Sequence, residues 1–199
     1  CALLDKRPHD AQIISTPNIC PSCQHPLIKE KTFLRCVQKW QCPAQQTGAI
    51  IHYASKHAFD VQGLGEQIIH LLCQNRIIRK PSDLYQITLQ QLTILPRMGE
   101  KSAKNLLQAI EKRKTITFAK FIYALGIREV GRDTAKIIAQ HTINLNNFLN
   151  LSKDALKNIK GIGPTTTSHI LQAIQDPEFQ KEIHALTQAG IDIQSPSAV

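Results

Sequence analysis

The chain lacks the marks of a membrane protein, a secreted protein or a self-contained enzyme. No apolar run is long enough to cross a bilayer, and the first residues do not resemble a signal peptide. No nucleophile–base pair and no pair of carboxylates stands out. Asp5, Asp60 and Asp83 are isolated and read as caps or surface charges, so no catalytic residue is assigned. The eight histidines are scattered without metal-ligand spacing. Acid is also scarce. Fifteen Asp and Glu stand against 24 Lys and Arg, a net charge of +9 over 199 residues. A hydrophobic content of 42% suffices for a packed core. The expectation is a cytoplasmic, monomeric protein with no membrane partner and a polyanionic ligand.

What the chain has instead is a repeat. Gly63-Leu64-Gly65, Arg97-Met98-Gly99, Glu129-Val130-Gly131 and Gly161-Ile162-Gly163 recur with their last glycines 34, 32 and 32 residues apart. Each triplet lies between two apolar, helix-like stretches, so one supersecondary unit is used four times. In the second copy, Leu92 and Leu95 lie on a first helix that stops near Pro96. Met98 is the apolar plug between helices. Gly99 is expected to take a positive φ and let another backbone come close. Ala103, Leu106, Leu107 and Ile110 form the stripe of a second helix. Four residues after the last glycine stand Ile69, Ala103, Ala135 and Thr167. A small residue there draws paired helices together, so the first pair, with Ile69, is expected to be wider. Pro164 falls just inside its helix, where proline is tolerated.

This layout reads as a helix-hairpin-helix. The first N–H groups of a helix have no internal partner and carry the positive end of its dipole, so they bind phosphate oxygens. Such contacts do not read bases, and binding is expected to be independent of sequence. The candidate nucleic-acid residues are Gly63, Gly65, Arg97, Gly99, Lys101, Arg128, Gly131, Arg132, Lys160, Gly161 and Gly163. Residues 97–136 hold ten basic and four acidic side chains, which marks the second and third hairpins as the stronger grip. Lys101 and Arg132, each two residues after a hairpin glycine, are the better cations. Lys112, Arg113 and Lys114 also fit an ordinary solvated helix face.

Cys20, Cys23, Cys36 and Cys42 follow the pattern C-x2-C-x12-C-x5-C. Four thiolates suit a structural Zn²⁺ with no open position for a substrate. A piece this short buries little core, so the metal would supply its folding energy. Disulfides and a redox CxxC are the alternatives. Absence of a secretion signal disfavours the first, and the turn-forming Gln24-His25-Pro26 disfavours the second. His25 is the one substitute ligand to watch. Cys73 reads as core, and Cys1 lies outside the pattern.

A four-cysteine zinc module followed by four such hairpins resembles the C-terminal half of bacterial NAD-dependent DNA ligase. The strings Leu4-Asp5-Lys6-Arg7-Pro8, Cys42-Pro43-Ala44-Gln45, Met98-Gly99-Glu100-Lys101-Ser102-Ala103 and Phe121-Ile122-Tyr123-Ala124-Leu125-Gly126-Ile127-Arg128-Glu129-Val130-Gly131 carry the match. The resemblance implies that residues 1–17 end an oligonucleotide-binding barrel, 18–47 form the zinc module, 48–193 form the repeat domain and 194–199 are linker. It implies a mainly α fold and an enzyme that seals nicks in duplex DNA during replication and repair, using NAD and Mg²⁺. The family's Lys-x-Asp-Gly nucleotidyl-transfer motif does not occur here. The sites for NAD and Mg²⁺ are therefore expected outside this chain, which alone should bind nicked duplex without sealing it. The missing adenylation and barrel domains are its expected partners in cis. Two rivals remain: the helix-hairpin-helix region of an excision-repair nuclease, and a helical protein-interaction module.

Local patterns add three expectations. Ala11 to Ile14 reads as a strand end. Short connecting helices are expected at Leu145–Leu149 and Leu151–Leu156, and little β structure beyond the zinc module and the first strand.

Overall fold

The structure, a computed structural model, describes residues 8, 10, 16–30 and 32–196. The strand expected at residues 11–14 lies outside them. Within them the chain is mainly helical, with two small two-stranded sheets.

The cysteine-bearing part comes first. Strand β1 (Ile28–Glu30) pairs antiparallel with β2 (Phe33–Arg35), in the register Ile28–Arg35, Lys29–Leu34 and Glu30–Phe33. Ile28, Phe33 and Leu34 are exposed, so this ribbon has no apolar core of its own. Helix α1 (Pro43–Ala54) starts directly after Cys42, with Pro43 in the first turn, where its missing N–H costs nothing.

The four repeats follow. The first joins α1 to α2 (Glu66–Gln74), the second α3 (Leu89–Thr93) to α4 (Glu100–Lys112). The third joins α5 (Phe118–Ala124) to α6 (Arg132–Thr142). Two short connecting helices, α7 (Leu145–Leu149) and α8 (Lys153–Lys157), lead into the fourth, which ends in α9 (Pro164–Gln175). Local chemistry fixes the short helices. Thr88 and Gln91 form a reciprocal capping box on α3. Asn144 caps α7 through the Asn147 N–H at 2.9 Å, and Ser152 caps α8 through the Ala155 N–H at 3.1 Å. Asp83 has the capping role expected of it, accepting the N–H groups of Arg79 and Lys80 at 2.7 and 3.0 Å.

The repeats share one continuous core, because a single hairpin cannot bury its apolar face alone. Tyr53, Leu72, Leu92, Phe121, Ile138, Phe148 and Ile170 are completely buried in it. Ile69, Ala103, Ala135 and Thr167, four residues after the hairpin glycines, are all buried as well.

The sequence pattern does not reveal two long-range closures. Strand β3 (Thr115–Thr117) pairs in parallel with β4 (Asp192–Gln194), so Gln194, expected in the linker, stands opposite Thr117. The last helix, α10 (Pro177–Gln188), is tied to the 3₁₀ turn Pro81–Gln86 by the Glu182 carboxylate. Glu182 accepts the Ser82 N–H at 2.7 Å and the Ser82 hydroxyl at 2.8 Å while 4% exposed. Burial pushes its pKa up against those two hydrogen bonds.

Candidate nucleic-acid interface

The four bends share one geometry. The first residue of each triplet holds the left-handed φ: Gly63 at +83°, Arg97 at +64°, Glu129 at +62° and Gly161 at +95°. This corrects the expectation for Gly99, whose φ is −76°. The chain reverses two residues earlier than expected, and in two copies a charged residue, not glycine, occupies the left-handed position. The second residue is the plug. Leu64, Val130 and Ile162 are buried and Met98 half-buried. Their N–H groups donate to the carbonyls three residues back, on Val61, Leu95, Ile127 and Ile159, at 3.0–3.2 Å.

The third residue is the N-cap of the following helix. Gly65, Gly99, Gly131 and Gly163 have φ between −76° and −82° in extended backbone, open to any residue. Each accepts, at 2.9–3.1 Å, the N–H of the residue four positions on. None has a side-chain cap, and a Cβ added to any of them would meet nothing within 4 Å. All four are exposed. Among the described residues nothing demands glycine here beyond a modest capping preference. The N–H groups of Glu100 and Lys101 on α4, and of Arg132 and Asp133 on α6, have no acceptor among the described residues. The fourth copy offers one donor fewer, because Pro164 has no N–H.

The candidate cations separate into two groups. Arg97, Lys101, Arg132 and Lys160 are exposed and have no carboxylate within 4.0 Å among the described residues. Arg132 lies 3.4 Å from Nδ1 of His57. Arg128 is different. It is half-buried, and its guanidinium donates to the Glu30 carboxylate of β1 at 2.6 Å, beside Arg35 at 3.5 Å. The Arg128 hydrogen bond holds the Glu30 carboxyl below the usual range. Arg128 thus joins the cysteine-bearing ribbon to the third bend, over a separation of 98 residues that no local pattern reveals. The turn Lys39–Gln41 that follows the ribbon reaches the end of the fourth repeat through Lys39 and Asp176, and its Trp40 lies 5.7 Å beneath the Lys80 ammonium.

Cys20, Cys23, Cys36 and Cys42 bring their four Sγ atoms within 4.8 Å of one another. Cys20 and Cys42 are 3.9 Å apart, Cys23 and Cys36 3.5 Å. Those distances are far beyond a disulfide and bracket the ~3.8 Å edge of a tetrahedron with Zn–S bonds of ~2.3 Å. The N–H groups of Cys23 and Ser22 lower the Cys20 thiol to about 7. At Cys23 the His25 N–H acts downward, but burial and the three neighbouring thiols outweigh it and push the pKa up to about 12. Four thiolates this close repel one another unless a cation sits between them, so the donor set fits a divalent metal. The ring of His25 instead bonds the Cys23 carbonyl at 2.9 Å, outside the cluster. Cys73 packs against the core, where burial raises its pKa.

Two family models match the chain: a SAM-like helix-hairpin-helix tandem over residues 56–112, and a helix-hairpin-helix motif over 120–183. The chain is 38% identical over 199 residues to a protein named DNA ligase from Legionella pneumophila subsp. pneumophila (strain Philadelphia 1). It is 39% identical over 199 residues to one from Coxiella burnetii (strain RSA 493), and 39% over 191 residues to one from Dichelobacter nodosus. These similarities cover 95–99% of the chain but only 28–30% of each relative, so the chain spans under a third of their length.

Proposed function

Because the chain belongs to the bacterial DNA ligase family as a segment under a third of its relatives' length, we propose that it is the duplex-holding, C-terminal part of an NAD-dependent ligase. In this reading the free first-turn amides of α2, α4, α6 and α9 take phosphate oxygens of both strands across a minor groove. Lys101 and Arg132 add charge at the two central bends. The four capping glycines carry the reading: each leaves an open face that no contact among the described residues requires.

Cys20, Cys23, Cys36 and Cys42 would hold a structural Zn²⁺. The metal would supply charge neutralisation and folding energy to a ribbon without a core. Residues 18–47 would then be the zinc module and 48–193 the repeat domain. NAD, Mg²⁺ and the nucleotidyl-transfer lysine would belong to the remainder of the enzyme. This segment alone would bind nicked duplex as a monomer, without regard to sequence, and would neither take up AMP nor seal a nick.

A gel shift with nicked duplexes of unrelated sequence, run at two salt concentrations, tests the binding. Equal affinities that fall together as salt rises are expected. Neutralising Lys101 and Arg132 should weaken binding to all sequences alike and flatten the salt dependence. A base preference, or no retention on duplex, would refute the reading. Incubation with labelled NAD tests the inactivity, since covalent label on the chain would contradict it.

A further inference from the structure

The geometry points to a second phosphate-binding element, built from side chains and lying between the first and second bends. It rests on the nucleic-acid reading above and extends it along α4, beyond the first turn that offers the open amides. A cleft of about 510 Å³ is lined by Gln62, Asn105, Gln108, Ala109, Lys112 and Arg113. Gln62 directly precedes the first bend at Gly63. The others belong to α4 and to Arg113, its C-cap.

On α4, Lys101, Asn105, Gln108 and Lys112 are spaced by four, three and four residues, which puts them on one face. All four are exposed. At the helical rise the stripe runs for about 16 Å, from the amide end of the second bend toward the first. Every one of these side chains has an N–H to donate, and none is acidic.

The charge pattern separates this stripe from an ordinary solvated face. The other charges of α4 and its C-terminal end are paired locally: Lys104 with Glu100 at 2.5 Å, and Lys114 with Glu111 at 2.8 Å. Lys101 and Lys112 have no carboxylate within 4.0 Å among the described residues, and between them stand two amides where acids would normally balance them. None of the six lining residues is acidic, and Asp60, which bonds two of them, is already neutralised. Its two oxygens accept Nη2 of Arg113 at 2.6 Å and Nε2 of Gln62 at 3.0 Å, which fixes both cleft-lining side chains in place. Asp60 itself holds a left-handed φ of +51°. The ligand that this row of donors fits is the phosphodiester backbone of one strand, passing from the second bend to the first.

Duplex affinity of the full chain, measured over a range of salt, tests the track. Lys112→Gln should weaken binding three- to tenfold and reduce the slope of log K against log salt by about 0.9, the loss of one phosphate contact. Lys181→Gln removes the same formal charge from α10, outside the track, taking it from its ion pair with Glu178, and should change neither quantity. Gln108→Glu places a carboxylate in the row and should weaken binding at least tenfold, while Lys112→Arg should keep wild-type affinity. If Lys101→Gln weakens binding but Lys112→Gln and Gln108→Glu do not, the track is overturned and the nucleic-acid reading stands. If the wild-type chain does not bind duplex at all, both fail.

Discussion

Replacing Gly99 and Gly131 together by alanine separates a ligand-facing glycine from a structural one. At both positions φ is near −76° and the backbone extended, so alanine fits without strain, and its Cβ would meet nothing within 4 Å. The fold loses only the preference of an N-cap for glycine over alanine, about 1 kcal/mol or less at each site. For a chain of this size that is a melting shift of a few degrees, at about 2–4 °C per kcal/mol. Binding should suffer far more. A methyl group in the open face holds a phosphate away from the amides of residues 100–101 and 132–133. Each charge-assisted hydrogen bond lost is worth about 1.5–3 kcal/mol, so roughly a 10- to 100-fold drop in affinity follows even if one bond fails. Fluorescence anisotropy with a labelled duplex, beside a thermal melt, reads both quantities. Gly161→Ala supplies the contrast: with φ at +95° and Ile137 Cδ1 3.2 Å from the new Cβ, it should lower the melting temperature directly. A double variant that melts like the wild type and binds duplex within twofold of it would refute the reasoning.

Cys20→Ser, or a strong chelator, should abolish stoichiometric zinc by elemental analysis and expose the 18–47 region to protease while the helical signal of the repeats persists. Stability should decline as pH rises above the ordinary carboxylate range, because the raised pKa of Glu182 means that the folded state holds its proton longer than the unfolded state. Glu182→Gln should flatten that decline in denaturant titrations at several pH values. Ile143, β-branched and 56% exposed at φ +66°, is held in a costly backbone conformation. Ile143→Gly should raise stability by about 1 kcal/mol in thermal melts.

The repeat was legible because it is written in short-range spacing. A plug, a glycine two residues from the left-handed position, and a buried residue four further on recur at nearly fixed intervals, and each is set by neighbours close in the chain. The cysteine spacing was legible for the same reason. The left-handed residue was misplaced because glycine was taken as its mark, whereas Arg97 and Glu129 hold it in two copies. Contacts across long separations left no trace in local pattern. Arg128 reads as a phosphate ligand by position, yet its partner Glu30 lies in the cysteine-bearing ribbon. Strands β3 and β4 are three residues each, too short for alternation to register, and 77 residues separate Thr115 from Asp192. The cleft beside Gln62 depends on Asp60 meeting Arg113, which only the packed repeats bring together.

On the proposed function, the open amides at the four bends receive a duplex backbone. A titration of ¹⁵N-labelled chain with short nicked duplex, followed by amide chemical shifts, tests it most directly. The expected result is that the largest shifts fall on Gly65, Gly99, Gly131 and Gly163 and the one or two residues after each, with the same pattern for duplexes of unrelated sequence. Shifts gathered on the ribbon of β1 and β2 or on α10, with the bends unmoved, would contradict it.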